Sequence, residues 1–150
     1  MAAIGCGTAV SSPHTGHINV AKRLNVLVVD DESSILRLLA RSLDAHGYAT
    51  LEVAGVDDAL SCMKANRVDA AILDVRMPGG KSGLELLETL RADPERAALP
   101  VIILTGVMLT ELEAARVRAL DAHVFYKPQP IEVLVQKLDQ LLGRRRGTVQ

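Results

Sequence analysis

Three short stretches of this chain are almost purely apolar: residues 25–29 (NVLVV), 70–73 (AAIL) and 101–104 (VIIL). A strand with one wet face alternates apolar and polar side chains, so continuous runs belong to strands covered on both faces, as in a parallel sheet between helices. Two weaker runs, residues 48–53 (YATLEV) and 123–126 (HVFY), bring the expected strands to five.

Between these runs the apolar period lengthens to that of a helix. Leu36, Leu39, Ala40 and Leu43 make one stripe; Val56, Ala59, Leu60 and Met63 a second; Leu86, Leu87 and Leu90 a third; Ile131, Leu134, Val135, Leu138 and Leu142 the last. Each can cover a face of the sheet. Gly47 is placed to end the first helix, Ser82 with Glu85 to cap the third, and Pro130 to open the last. The helix between the fourth and fifth strands is thinner. Thr110 and Glu113 form a capping-box pattern, but residues 109–122 (LTELEAARVRALDA) are charged on most sides. Its predicted apolar stripe is only Leu112, Ala115 and Ala119, which suits a helix that moves or meets a partner.

Strands alternating with helices, joined by right-handed crossovers, predict a doubly wound α/β fold with helices on both faces of a five-stranded parallel sheet. Ligands of such sheets bind beyond the carboxyl ends of the strands. A chain of 150 residues, about half apolar, suffices for one core of this kind. We expect the folded domain to span residues 24–143, preceded by a flexible leader over 1–23 and followed by a basic tail over 144–150. The leader mixes Gly, Ser, Thr, Pro and His without periodicity. A formal net charge of −1 offers no broad attraction for nucleic acid or an anionic membrane. Neither an export signal nor a membrane-length apolar segment is apparent, and Cys6 and Cys62 lack metal-ligand spacing, so a cytoplasmic protein with free thiols is expected. His14, His17 and His46 have no evident converging partners and are expected at the surface.

The strand ends carry the chemistry. Asp30 and Asp31 close the first run, Asp74 the third, Thr105 the fourth and Lys127 the fifth. Any one of these could start a turn or cap a helix. Together they predict three carboxylates, a hydroxyl and an ammonium on one crevice. Adjacent carboxylates oppose joint ionisation, so Asp30 and Asp31 call for a metal, a lysine or solvent.

Four motifs in order, VLVVDDE, AILDVRMP, VIILTG and YKP, resemble the receiver domain of two-component response regulators of the chemotaxis-regulator kind, over roughly residues 25–142. The resemblance implies a flavodoxin-like sheet of strand order 2-1-3-4-5. It also implies a phosphoacceptor, Asp74, that takes a phosphoryl group from a sensor histidine kinase or a His-phosphotransfer protein. Mg²⁺ would be held by Asp31 and Asp74, by Asp30 through water, and by the backbone carbonyl of Arg76, all hard oxygen donors. Lys127 would pair with Asp74 when the site is empty and with a phosphoryl oxygen when it is filled, and Thr105 would supply a hydroxyl donor. The output would pass to a downstream effector protein, with a homodimer as one available state. The domain would assist only its own phosphorylation and dephosphorylation rather than act as an enzyme.

Several positions depart from the family pattern. Val124 stands where receivers place Tyr or Phe, three residues before the lysine, and period-two alternation offers Tyr126 as a partial substitute. The segment MPGGKSGLE is one residue longer than usual, with Ser82 at a commonly acidic position and Gly79 and Gly80 permitting the detour. Arg76 and Val107, two residues after the acceptor and after Thr105, are expected to hinder hydrolytic water. Pro128 matches a bond that is cis in the family. Two alternative functions arise. A Mg²⁺-dependent phosphatase with an aspartate nucleophile would need an acid two residues after Asp74, where Arg76 stands. A truncated DNA-binding regulator would rest on Arg144, Arg145 and Arg146, charges read here as a solvated tail.

Overall fold

The computed structural model describes residues 23–77, 82–127 and 129–144. In chain order the elements are β1 (Leu24–Val29), α1 (Ser33–Ala45), β2 (Tyr48–Val53), α2 (Val56–Ala65), β3 (Ala70–Leu73), α3 (Gly83–Ala92), β4 (Val101–Thr105), α4 (Glu111–Ala119), β5 (His123–Tyr126) and α5 (Ile131–Leu141). The strands form one parallel sheet of order β2-β1-β3-β4-β5, the predicted flavodoxin-like order.

Period-two alternation divides the apolar runs between two cores. Leu27, Val29, Leu73 and Ile103 face one side, with Ala59 and Met63 of α2 and Leu86, Leu87 and Leu90 of α3. Val26, Val28, Ile72, Ile102 and Leu104 face the other, with Leu36, Leu39 and Leu43 of α1 and Leu134, Val135 and Leu138 of α5. This two-sided burial is why the runs are apolar on both alternating faces, Asn25 at the half-buried start of β1 being the exception. Each fully buried Leu, Ile or Val contributes about 1.5–3 kcal/mol relative to exposure.

Local signals set the helix ends. Gly47 follows α1 at φ +91, a left-handed conformation that glycine adopts without a Cβ penalty. Ser82 caps α3 by accepting from the Glu85 N–H, and Thr110 with Glu113 forms the full capping box of α4. Pro130 stands at the N-cap of α5, one position before the first helical residue.

Three expectations need correction. On α4, Leu112, Ala115 and Ala119 all face solvent, and the buried residue is Val117, with Glu113, Ala114 and Leu120 half-buried beside it. The stripe was too short to fix the phase of the helix, and Val117 and Leu120, with ion pairs and hydrogen bonds from Arg76, Glu88 and Arg91, hold the opposite face inward. Arg144 is not a solvated tail charge: its guanidinium lies 4.4 Å from the centre of the Tyr48 ring. Cys62 is disulfide-bonded rather than a free thiol. Cys6, His14, His17, Gly79, Gly80, Pro128, Arg145 and Arg146 lie outside the described residues. His46 is half-buried, with Nδ1 2.8 Å from the Ser42 carbonyl. Among the described residues, no helix is long and apolar enough to cross a membrane.

Candidate functional site

Sheet register explains why distant residues meet. Val29 pairs with Leu73 and Leu73 with Ile103, so Asp30 and Asp74 leave their strands at one level. Thr105 pairs with Tyr126, and the Lys127 N–H donates to the Thr105 carbonyl at 2.8 Å. The carboxyl ends of four strands therefore open on one crevice, as the fold class requires.

Asp30 is 2 % exposed, Asp74 7 % and Thr105 fully buried, whereas Asp31 is exposed. Lys127 Nζ donates to Asp30 Oδ2 at 2.9 Å and to Asp74 Oδ2 at 3.3 Å, and lies 3.5 Å from Glu32 Oε1. The adjacent aspartates thus find different relief: Asp30 takes the lysine and Asp31 takes solvent. Lys127 pairs more closely with Asp30 than with Asp74. The remaining Asp30 oxygen accepts from the Glu32 N–H at 2.9 Å, and Asp74 Oδ1 from the Arg76 N–H at 3.3 Å. The Thr105 hydroxyl accepts from the Val107 N–H at 3.3 Å, which fixes one of its lone pairs.

One ammonium does not compensate two buried carboxylates. Burial pushes the Asp74 carboxyl above the usual carboxylate range; Lys127 pulls it down and Asp30 pushes it up again. Burial alone would lower Lys127, but the hydrogen bond and charge of Asp30, with the charge of Asp74, leave it raised. The site is an ammonium among an excess of negative charge, open to a further cation. Ligand oxygens of Asp30, Asp31 and Asp74 all lie within 4.8 Å of one another, a hard-donor set that fits a divalent cation.

Three residues with a part in this arrangement carried no predicted role at the site, Glu113 having been read only as a helix cap. Glu32 gives Lys127 a third carboxylate; its place directly after the aspartate pair was the available signal. Gly83 begins α3 against the segment that follows β3, its N–H donating to the Val75 carbonyl at 3.1 Å, and a Cβ there would overlap the Asp74 carbonyl. Glu113 accepts both arms of the Arg76 guanidinium, at 3.0 and 3.1 Å. Neither of the last two contacts can be read from local sequence. Val124 is half-buried against the core shared with α2 and α3, and Tyr126, two residues on, is 36 % exposed.

A doubly wound sheet with an acidic crevice and a lysine at its strand ends defines a class of domains able to hold a divalent cation beside buried carboxylates. Within it, this chain belongs to the response regulator receiver domain family, whose model matches residues 26–139. The response regulator MprA of Mycobacterium sp. (strain KMS) is 34 % identical over 128 residues, covering 85 % of this chain and 51 % of that protein. The acid tolerance regulatory protein ActR of Rhizobium meliloti (strain 1021) is 30 % identical over 121 residues, covering 81 % of this chain and 61 % of that protein. The chain thus spans about half the length of the MprA proteins it matches. Among solved structures, the chemotaxis protein CheY4 of Vibrio cholerae superposes with a TM-score of 0.74 at 28 % identity, over 81 % of this chain and all of that one. A response regulator receiver protein from Pseudomonas putida gives 0.73 at 33 % identity, over 81 % of this chain and 99 % of that one. The chain is a receiver domain of two-component response regulators.

Proposed function

We propose that Asp74 is the phosphoacceptor of this receiver, with Lys127 and Thr105 as its assisting groups. The observation that carries the reading is the Asp30–Lys127–Asp74 triad, two buried carboxylates on one half-buried ammonium, with Asp31 within ligand distance, at the level where four strands end. An oxygen of Asp74 forms a bond to phosphorus as the P–N bond of a phosphohistidine breaks, the electron pair returning to the imidazole. Asp74 must approach another anion, so the step depends on positive charge already in place. Lys127 is poised for this: its ammonium touches Asp74 and is held by Asp30, so it can follow a new oxyanion without leaving the crevice. Thr105 holds a buried hydroxyl that accepts from the Val107 N–H, and its proton is the proposed donor to an oxygen carried on Asp74.

Asp31 and Asp74, Asp30 through water and the Arg76 carbonyl are the proposed holders of Mg²⁺, which when bound supplies the charge that neutralises the transferring oxygens. The proposed donor is a sensor histidine kinase or a His-phosphotransfer protein in the cytoplasm, and the proposed recipient of the output is an effector protein or a second copy of the chain. A turnover phosphatase is disfavoured because Arg76, at the position of the required acid, is a permanent cation engaged by Glu113. The apolar Val107 and the bulky Arg76 beside the site favour a slowly decaying phosphoryl state. Tyr126 is proposed to stand in partly for the aromatic missing at Val124; an unchanged ring environment with a phosphoryl mimic bound would refute that role.

Incubation with a small phosphodonor and Mg²⁺ should add one phosphoryl group by intact mass, and Asp74→Asn should add none. A gain that survives the substitution would exclude Asp74 as acceptor.

A further inference from the structure

Within α4 itself apolar attachment is slight, although Leu109 and Leu120 at its two ends pack against the core. Val117 is the buried residue of the helix, while Leu112, Ala115 and Ala119 face outward. Three tethers, each using an arginine, supplement it. Glu88 of α3 pairs with Arg116. Arg91 of α3 donates to the Leu120 carbonyl at 2.7 Å and to the Asp121 carbonyl at 3.3 Å, just past the end of α4. The third tether is the fork between Arg76 and Glu113 in the first turn of α4. The first two come from a helix packed in the core. The third comes from the segment that carries the acceptor.

Arg76 therefore faces two ways. Its backbone N–H donates to Asp74 Oδ1, and its guanidinium gives both arms to the carboxylate of Glu113. Glu113 has a second support: Oε1 also accepts the Thr110 N–H at 2.9 Å, and a carboxylate in the first helical turn is favoured by the helix dipole. It can lose the arginine and remain a cap. A planar guanidinium binds phosphoryl oxygens by the same two-armed geometry as a carboxylate, and the phosphoryl group carries more charge. For a partly exposed ion pair the cost of exchange is small.

We infer that Arg76 is a positioning residue that couples the state of Asp74 to α4: its guanidinium belongs to Glu113 when Asp74 is bare and is drawn off when an anion is attached there. The inference rests on the reading of Asp74 as acceptor. Released from Arg76, the first turn of α4 keeps its own cap but loses its tie to the acceptor segment. The surface that bears Met108 and Leu112, both 73 % exposed, loosens with it.

The test is amide hydrogen exchange on the full chain with Mg²⁺, with and without beryllofluoride as phosphoryl mimic. In the wild type the mimic should speed exchange across residues 111–119 roughly threefold, the scale of one lost surface ion pair, and leave residues 131–141 of α5 unmoved. Glu113→Gln retains a capping oxygen and removes the charge, so it should exchange at the faster rate already and respond less than about 1.5-fold to the mimic. Arg76→Met should behave in the same way. An α4 response in Glu113→Gln as large as in the wild type, or no response in the wild type, would overturn the coupling. Phosphate incorporation at Asp74 without an α4 response would overturn the coupling alone. No incorporation and no mimic bound would overturn the acceptor reading and the coupling together.

Discussion

At the end of the sheet where β2 begins, Asp139 of α5 is buried and accepts the Tyr48 hydroxyl at 2.6 Å, with Arg144 covering the Tyr48 ring. At the opposite end, where β1 and β3 finish, Asp30 and Asp74 are equally buried but share one lysine and open toward an exposed third aspartate. The first carboxylate has a short neutral donor and is closed over. The second pair is left short of positive charge beside an aspartate that faces solvent. A buried aspartate is therefore informative only together with what satisfies it: the Tyr48–Asp139 pair holds α5 to the sheet, and the Asp30–Asp74 pair keeps a place for further cationic charge.

That contrast makes predictions of opposite sign. Asp139→Ala leaves the buried Tyr48 hydroxyl without its acceptor and should lower stability by about 2–3 kcal/mol in urea unfolding. A loss within error would mean that the two ends do not differ in this way. Gly83→Ala places a methyl group against the Asp74 carbonyl and should lower stability by about 1–3 kcal/mol, with a fall in phosphorylation rate if Asp74 is the acceptor proposed above, since that residue is displaced.

Removing charge at the open end should instead stabilise. Asp74→Asn in Mg²⁺-free buffer should raise the thermal midpoint by about 2–5 °C, since Lys127 keeps Asp30 as partner. The sign follows from the raised carboxyl of Asp74: its folded value exceeds its unfolded one, so the penalty is fully present above the folded value and lifts as pH falls through it. The midpoint difference between wild type and Asp74→Asn should accordingly narrow in acid, as calorimetry across pH can check. The smallest effect is expected at the edge of the closed end, where Arg144→Ala removes the cation over Tyr48 and should cost about 0.5–1 kcal/mol.

The sheet and the crevice were legible because they follow from short-range pattern. Unbroken apolar runs declared strands covered on both faces, and the residue ending each run fell at one end of the sheet once the strands were parallel. The capping box at Thr110 and Glu113 was legible for the same local reason. Leu112, Ala115 and Ala119 were misleading because three small or isolated apolar residues orient a helix less strongly than Arg76, Arg91 and Glu88, which reach it from distant segments. Arg144 read as a solvated charge because Tyr48, its support, lies far back in the chain. Gly83 had no visible role until α3 was placed against Asp74.

The central claim, that the open crevice is under-neutralised and relieved by a divalent cation, is tested most directly by titrating Mg²⁺ while following the thermal midpoint. Preferential binding to the folded state should raise the wild-type midpoint with the logarithm of Mg²⁺ concentration above its dissociation constant. Asp31→Asn, which removes the exposed ligand and leaves the triad with Lys127 intact, should flatten that rise. A wild-type midpoint that does not respond to Mg²⁺, or an Asp31→Asn variant that responds as the wild type does, would contradict the account.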